Sequence, residues 1–188
     1  MIRCTWCGDD PLYTKYHDEE WGIPVHDDSV LFEFLILEGA QAGLSWITIL
    51  KKRLGYRNAY DGFDVQRVAD YDEDKIQELL QNPEIVRNRL KVRSSVNNAR
   101  LFMEIQKDYG SFDSYIWGFT DNKQIVNNWE NIKDMPATSE LSDIISKDLK
   151  KKGFKFVGST IIYSYLQAVG IINDHMLWCS FRDRLDAI

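Results

Sequence analysis

Apolar positions recur along most of the chain with the spacing of helices. Between residues 29 and 42 the apolar stripe begins with Leu31, Phe34 and Leu35, three or four positions apart, which places these side chains on one helix face. Asp28 or Ser29 can cap the start of this helix. We find no run of alternating apolar and polar residues long enough to predict a strand.

The same spacing, together with start and stop signals, predicts the remaining helices. They are expected at about 45–54, after Asp64, after Asp72, at 85–109, at 112–119, at 139–151, and from Ser159 or Thr160 to about Gly170. Residues 121–138 carry no clear period and are predicted to form a loop. The chain of 188 residues is long enough to bury a core, and it is predicted to be one all-α unit.

The composition is typical of a globular protein, with 44% hydrophobic and 28% charged residues. No apolar run approaches the length of a membrane span, and residues 1–7 lack the apolar core of a signal peptide. The three cysteines Cys4, Cys7 and Cys179 form no even disulfide set. We therefore expect a cytoplasmic protein without a membrane partner. Since no large apolar face remains after the core is assigned, we also expect a monomer.

The formal net charge of −6 counts against a nucleic-acid partner, because nucleic-acid-binding proteins usually carry a basic surface. Basic residues nevertheless cluster at two places. They are Arg87, Arg89, Lys91 and Arg93 in the first cluster, and Lys147, Lys150, Lys151, Lys152 and Lys155 in the second. Charge alone favours solvated helix surfaces for both clusters.

Residues 141–170 form a distinctive pattern, in which two predicted helices flank a turn with Gly153 and Gly158 at its ends. The free amides at the start of the second helix make an anion site that suits a DNA phosphate. A plain antiparallel pair of helices is the alternative. The glycines, the flanking lysines and the hydroxyls of Ser159 and Thr160 together favour phosphate binding, which would hold the DNA backbone without reading its sequence.

Cysteine and histidine residues at both ends of the chain predict a metal site. His175 and Cys179 are four residues apart and so face the same side of a helical turn. Four thiolate and imidazole ligands would close a structural zinc site that ties the two chain ends together. One ligand set uses Cys4 and Cys7, whose C-x-x-C spacing is common in zinc sites. The other combines Cys4 and His17 with His175 and Cys179 and leaves Cys7 free.

Glu38 continues the buried stripe of its helix, since it follows Phe34 by four residues and Leu35 by three. Burying a carboxylate without a partner is costly, so such a residue is either paired or functional. A glutamate at a helix end that reaches solvent is the alternative. Aromatic residues in the flanking segments favour a pocket for a flat cationic ligand. They are Trp6, Tyr13, Tyr16, Trp21 and Trp46.

Several stretches of the chain resemble the DNA-3-methyladenine glycosylase I family. They are residues 10–13 (DPLY), 16–18 (YHD), 20–22 (EWG), 37–46 (LEGAQAGLSW), 153–158 (GFKFVG) and 173–175 (NDH). The resemblance extends from Cys4 to Cys179 and so covers almost the whole chain. The thiol of Cys7 and the residues after Cys179, 180–184 (SFRDR), have no counterpart that we can match to the family.

The resemblance implies an all-helical fold of the helix-hairpin-helix glycosylase superfamily, here a single two-lobed domain over residues 1–188. It implies one structural zinc held by Cys4, His17, His175 and Cys179. It implies a base pocket formed by Tyr16, Glu38 and Trp46, with Trp6, Tyr13 and Trp21 nearby. The DNA contacts expected from this resemblance and from the turn are Gly43, Leu44, Lys152, Gly153, Lys155, Gly158 and Ser159.

The activity that the resemblance implies is base excision repair, in which 3-methyladenine is released from alkylated double-stranded DNA. A base methylated at nitrogen 3 is cationic and leaves as a neutral molecule, so the enzyme needs little acid catalysis and must mainly extract the base. Glu38 is expected to recognise the adenine edge and to stabilise the positive charge. Residues 161–164 (IIYS) carry no acid, as in this family, whereas most of the superfamily has an aspartate there.

Two other functions fit the sequence less well. A DNA-binding scaffold without catalytic activity would have no use for a buried Glu38 among aromatic rings. A glycosylase for a neutral oxidised or mismatched base would need the stronger catalysis that the missing aspartate provides.

Overall fold

Helices account for most of the structure, a computed structural model that describes residues 1–183. They are α1 (Pro11–Glu19), α2 (Asp28–Gln41), α3 (Trp46–Ala59), α4 (Val65–Ala69), α5 (Glu73–Gln81), α6 (Arg89–Tyr109), α7 (Phe112–Gly118), α8 (Glu140–Lys152) and α9 (Ser159–Ala168). The predicted all-α fold class is therefore confirmed. Within the described range, no helix combines the length and the apolar character needed to cross a membrane.

One short pair of strands lies outside this helical pattern. Strand β1 (Ile125–Val126) pairs in parallel with β2 (Ile172–Asn173), with Ile125 opposite Ile172. The prediction that residues 121–138 form only a loop is wrong at this point. Two residues per strand are too few to show a period in the sequence. The pairing fixes the chain just before His175.

Helix α2 lies at the centre of the molecule and packs against α3, α6, α7 and α9. All residues from 31 to 40 are buried, so the helix is covered on every side rather than on one stripe. Its start differs from the prediction. The side chain of Asp27 accepts hydrogen bonds from the amides two and three residues further on. Asp28 instead accepts the amides of Phe112 and Asp113, at 2.9 and 2.8 Å, and so caps α7.

Helix α6 begins later than predicted, at Arg89 rather than near residue 85. The side chain of Asn88 accepts hydrogen bonds from the amides of Leu90 and Lys91 and defines this start. Helix α1 was missed by the sequence analysis. It begins at Pro11, and the side chain of Asp10 accepts the amide of Leu12 at 2.9 Å.

The turn between α8 and α9 is held against α6. Gly153 ends α8 in a left-handed conformation, with φ of 100°, which glycine adopts without strain. The Nδ2 atom of Asn98 donates to the carbonyl of Lys155 at 2.8 Å, and the amide of Lys155 donates back to Asn98 Oδ1 at 2.9 Å. Gly158, and not Ser159 or Thr160, is the N-cap of α9. The hydroxyl of Ser159 instead lies 2.8 Å from that of Ser142 on α8.

We expect Gly170→Ala to lower the free energy of unfolding by clearly more than Gly110→Ala. Both glycines have positive φ, of 69° and 87°, so each alanine costs about 1–2 kcal/mol in backbone strain. A Cβ at position 170 would also lie 2.2 Å from the carbonyl carbon of Ile23, whereas at position 110 it would meet nothing within 4 Å. Urea unfolding followed by circular dichroism measures both losses. Equal losses would contradict the close approach at Gly170.

Candidate active site and metal centre

Four buried side chains from the two ends of the chain meet at one point. The ligand atoms of Cys4, His17, His175 and Cys179 all lie within 4.8 Å of one another. The Sγ atom of Cys179 is 3.6 Å from His17 Nε2 and 3.3 Å from His175 Nδ1, and Cys4 Sγ is 3.7 Å from His175 Nδ1. Sulfur and nitrogen ligands of a tetrahedral zinc lie about 3.5 Å apart, as follows from the usual bond lengths. The geometry therefore suits a small tetrahedral metal ion.

The fold does not bring the Cys7 thiol together with the other possible metal ligands. The Cys7 thiol donates instead to the carbonyl oxygen of Cys4 at 3.1 Å, and Cys7 is outside the cluster of possible ligands found among residues 1–183. The set that the family resemblance implied is the one that the fold assembles.

Neighbouring groups orient both histidine rings. His17 Nδ1 donates to Asp18 Oδ1 at 2.8 Å, and Asp18 is itself held by Arg3. His175 Nε2 donates to the carbonyl of Trp21 at 3.0 Å. Each ring thus directs its other nitrogen into the cluster, which is how ligating histidines are commonly fixed.

The two ligand thiols are close enough for one to donate to the other when one of them is ionised. This hydrogen bond is the main factor that lowers the pKa of the Cys179 thiol. The same bond, together with burial, raises the pKa of the Cys4 thiol. A divalent cation among the four ligands would favour the thiolate form of both.

A cavity of about 230 Å³ lies beside this cluster. All six residues predicted for the base pocket line it. They come from the N-terminal segment, from α1 and the turn after it, and from α2 and α3. The complete lining is Trp6, Tyr13, Tyr16, Trp21, Glu38, Gln41, Trp46, Ile132, Met135, Ser164 and Gln167. No sequence pattern places Ile132, Met135, Ser164 or Gln167 in the pocket, because they are far from the others along the chain and share no spacing with them.

The aromatic rings of the cavity pack edge to face or at a tilt. The ring centroids of Trp6 and Trp21 lie 4.7 Å apart with planes at 68°. Those of Trp6 and Tyr13 lie 5.1 Å apart, and those of Tyr16 and Trp46 lie 5.4 Å apart. Such contacts hold each ring in place without covering all its faces. A planar ligand therefore meets fixed rings.

Among residues 1–183, Glu38 is the only acidic residue that lines this cavity, and burial strongly disfavours its charged form. The residue is 3% exposed, its Oε2 atom has no hydrogen-bond partner, and burial raises its pKa to about 8. The Nε1 atoms of Trp6 and Trp46 are likewise buried and unpaired. Unpaired buried polar atoms are costly, so three of them beside one cavity indicate a site kept for function and not for stability.

A second cavity, of about 310 Å³, shares Glu38, Gln41 and Ser164 with the first. Its remaining lining comes from the turn after α2 and from the start of α9, namely Ala42, Gly43, Leu44, Thr160 and Ile161. Leu44 is 41% exposed at its rim. The two cavities together lead from the surface at Gly43 and Leu44 to the Glu38 carboxyl.

Some of the residues predicted to contact DNA are exposed to solvent, whereas others already make contacts within the protein. Lys155 is exposed at the α8–α9 turn, and Gly158 caps α9 without a side chain. The ammonium of Lys152 lies 5.4 Å from the ring centre of Tyr109 and 5.7 Å from that of Tyr115. Its charge therefore already makes cation–π contacts with the protein.

Two residues of the first basic cluster, Lys91 and Arg93, also make contacts within the protein. Lys91 Nζ donates to the carbonyls of Ala40 and Ala42, at 2.7 and 2.6 Å, and so closes the C-terminal end of α2. Arg93 pairs with Glu73. The sequence alone cannot separate such internal roles from a solvated surface.

Comparison with known proteins gives a consistent result. The sequence profile of the family described as methyladenine glycosylase matches residues 6–183. DNA-3-methyladenine glycosylase 1 of Escherichia coli K12 is 44% identical over 179 residues, covering 95% of this chain and 96% of that protein. A crystal structure of 3-methyladenine DNA glycosylase I superposes with a TM-score of 0.93 at 45% identity, covering 95% of this chain and 98% of that one.

A third relative is 3-methyladenine DNA glycosylase I from Staphylococcus aureus, from a structure that addresses recognition of 3-methyladenine. It is 37% identical, with a TM-score of 0.93 and 96% of both chains covered. The helical fold is thus that of a DNA glycosylase. The chain belongs to the methyladenine glycosylase family.

We expect Glu38→Gln to stabilise the protein increasingly as the pH rises from about 4.5 to about 8. The pKa of Glu38 is about 8 when folded, against the model-compound value of 4.5. Between these values the unfolded chain has released a proton that the folded chain retains, so the wild type loses stability with rising pH. Glutamine does not titrate. Urea unfolding at several pH values measures the difference, and the exposed Glu84→Gln variant is the control. A constant difference across this range would contradict the raised pKa.

Proposed function

We propose that this chain releases 3-methyladenine from alkylated double-stranded DNA, with Glu38 as the residue that recognises the flipped base. Family membership makes the chain a glycosylase, an enzyme that hydrolyses N-glycosyl bonds. The observation that supports the proposed residue is the Glu38 carboxyl, buried without a partner in an aromatic cavity. A monomer working in the bacterial cytoplasm is part of the same proposal.

Recognition depends on charge and shape. A cationic purine between the rings of Tyr16 and Trp46 gains stacking and cation–π attraction. Its positive charge lowers the pKa of Glu38 from the raised value of about 8, because a nearby cation favours the carboxylate. A neutral base gains less from this carboxylate, so the pocket favours the damaged base over the normal one.

Catalysis then needs little proton transfer. The methylated base leaves as a neutral molecule while positive charge develops on the sugar. The Glu38 carboxylate stabilises this charge at short range in a site that excludes most water, and a water molecule attacks the sugar carbon. We assign no second carboxylate to this step, since no other acid among residues 1–183 lines the cavity.

DNA is proposed to bind across the α8–α9 turn and the turn after α2. The exposed Lys155 and the amides at the start of α9 offer a site for a backbone phosphate. The exposed Leu44 would fill the space that the flipped nucleotide leaves, with Gly43 allowing close approach. The cavity that leads from these two residues to Glu38 supports this path for the base.

One structural zinc is proposed for Cys4, His17, His175 and Cys179. Two thiolates and two imidazoles complete a tetrahedron and leave no open position, which is characteristic of a structural site. When bound, the ion would neutralise the thiolates and link the N-terminal segment to the chain after β2.

We expect Glu38→Ala to reduce release of 3-methyladenine from methylated duplex DNA by on the order of a hundredfold, because a preorganised charge next to the reacting sugar is lost. Single-turnover assays with chromatographic detection of the free base measure this. The exposed Glu84→Ala is the matched control, and thermal unfolding shows that the variants are folded. Unchanged release together with unchanged base affinity would remove Glu38 from the site.

We expect the purified protein to contain about one equivalent of zinc. Cys4→Ser and His17→Ala should lose it, because each removes a ligand. Cys7→Ser and His26→Ala should retain it, since the Cys7 thiol is turned to the Cys4 carbonyl and His26 pairs with Asp113. Inductively coupled plasma mass spectrometry measures the metal. Full zinc content in His17→Ala, or zinc loss in Cys7→Ser, would refute this ligand set.

A further inference from the structure

The amide of Gln167, on the last turn of α9, is held in one orientation beside the Glu38 cavity. Its Nε2 atom donates to Asp174 Oδ2 at 2.6 Å and to Met135 Sδ at 3.4 Å. A carboxylate accepts hydrogen bonds and does not donate them. The reversed amide would place Oε1 against Asp174, so the orientation with Nε2 toward Asp174 is strongly favoured.

The Asp174 carboxylate is itself immobile. It is fully buried and accepts three further hydrogen bonds, from Asn127 Nδ2 at 2.7 Å, Trp129 Nε1 at 2.7 Å and Tyr163 Oη at 2.6 Å. A buried carboxylate with four donors is fully satisfied. It thus acts as a fixed point that sets the direction of the Gln167 amide.

The carbonyl oxygen of Gln167 is left as an open acceptor. Among residues 1–183 no donor reaches Oε1, and this atom is not one of the sealed unpaired atoms of the structure. Gln167 is 8% exposed and lines the same cavity as Glu38. The hydroxyls and the amide of Tyr13, Tyr16, Ser164 and Gln41 in the same lining can both donate and accept. Two groups of the lining are acceptors only, the Glu38 carboxylate on α2 when it is ionised and the fixed Gln167 Oε1 on α9.

The number of hydrogen-bond donors on the base matches these two acceptors. An adenine that is methylated at nitrogen 3 and attached to its sugar carries hydrogen on nitrogen only at its exocyclic amino group, which has two. We propose that Gln167 Oε1 accepts one of these hydrogens and Glu38 the other, so that Gln167 selects purines with an amino group at carbon 6. The inference rests on the function proposed above and adds a residue that determines specificity.

A purine with a carbonyl at carbon 6 would bind less well beside Gln167. Its oxygen would face Gln167 Oε1 and leave that acceptor without a donor, an arrangement that costs free energy in a buried site. Discrimination would then come from the fixed amide of Gln167 as well as from the charge of Glu38.

The test compares two free bases that differ at carbon 6, namely 3-methyladenine and 3-methylhypoxanthine. Their affinities can be followed by the fluorescence of the cavity tryptophans. We expect Gln167→Leu to weaken binding of 3-methyladenine about tenfold, as for the loss of one neutral hydrogen bond. Binding of 3-methylhypoxanthine should not weaken and should improve, because the acceptor opposed to its carbonyl is gone. Release of 3-methyladenine from methylated DNA should fall by a similar factor.

The Gln167→Met variant repeats the test, because methionine is unbranched and close in size to glutamine. It replaces the leucine variant if that variant folds poorly. Gln66→Met is the matched control, because the exposed Gln66 donates to an aspartate four residues further on, at 3.0 Å. Thermal unfolding and zinc content report on the structure of each variant.

A selective loss for 3-methyladenine supports the inference. Equal losses for both bases would show a purely structural role and overturn it, as would unchanged affinity for both in folded variants. Wild-type protein that releases no 3-methyladenine from DNA would refute the proposed function itself. Wild-type release with unaffected Gln167 variants would refute only the inference about Gln167.

Discussion

Burial of the Glu38 carboxyl without a hydrogen-bond partner is the constraint on which the pocket depends. The cost of this burial is met by the packing of α2, which is enclosed along nearly its whole length by other helices. Water would relieve the cost by solvating the acid, but the surrounding rings keep the residue almost fully covered. The pocket is thus prepared for a charged, planar partner before that partner arrives, which lowers the reorganisation needed on binding.

The cluster of cysteine and histidine side chains and the pocket are built on the same short segments. Tyr16 and His17 are consecutive residues of α1, and one lines the pocket while the other reaches the cluster. Trp6 follows Cys4 by two residues, and the carbonyl of Trp21 fixes the ring of His175. The rings of the pocket wall are therefore held in place by the same cluster of four side chains that joins the two chain ends.

Much of this arrangement could be predicted from local patterns. The helical period gave α2 and placed Glu38 on its apolar stripe, and residue types at the two ends gave the possible ligands. Spacing could not choose between Cys7 and His17, because it does not show that the Cys7 thiol turns to the Cys4 carbonyl.

Other features depend on contacts between distant parts of the chain. Asp28 caps α7 and not its own helix, and Lys91 binds carbonyls at the end of α2 rather than solvent. Neither residue carries a local signal of these contacts. The place of Gln167 in the pocket likewise depends on the packing of α9 against α2, which no periodicity in either helix reveals.

The adjacency of Tyr16 and His17 has a thermodynamic consequence. If an ion at the cluster makes the wall of the pocket more rigid and so strengthens base binding, a bound base must strengthen retention of the ion by the same factor, since coupling between two binding equilibria is reciprocal. A repair enzyme built in this way would lose a bound metal ion least readily while a damaged base occupies its pocket.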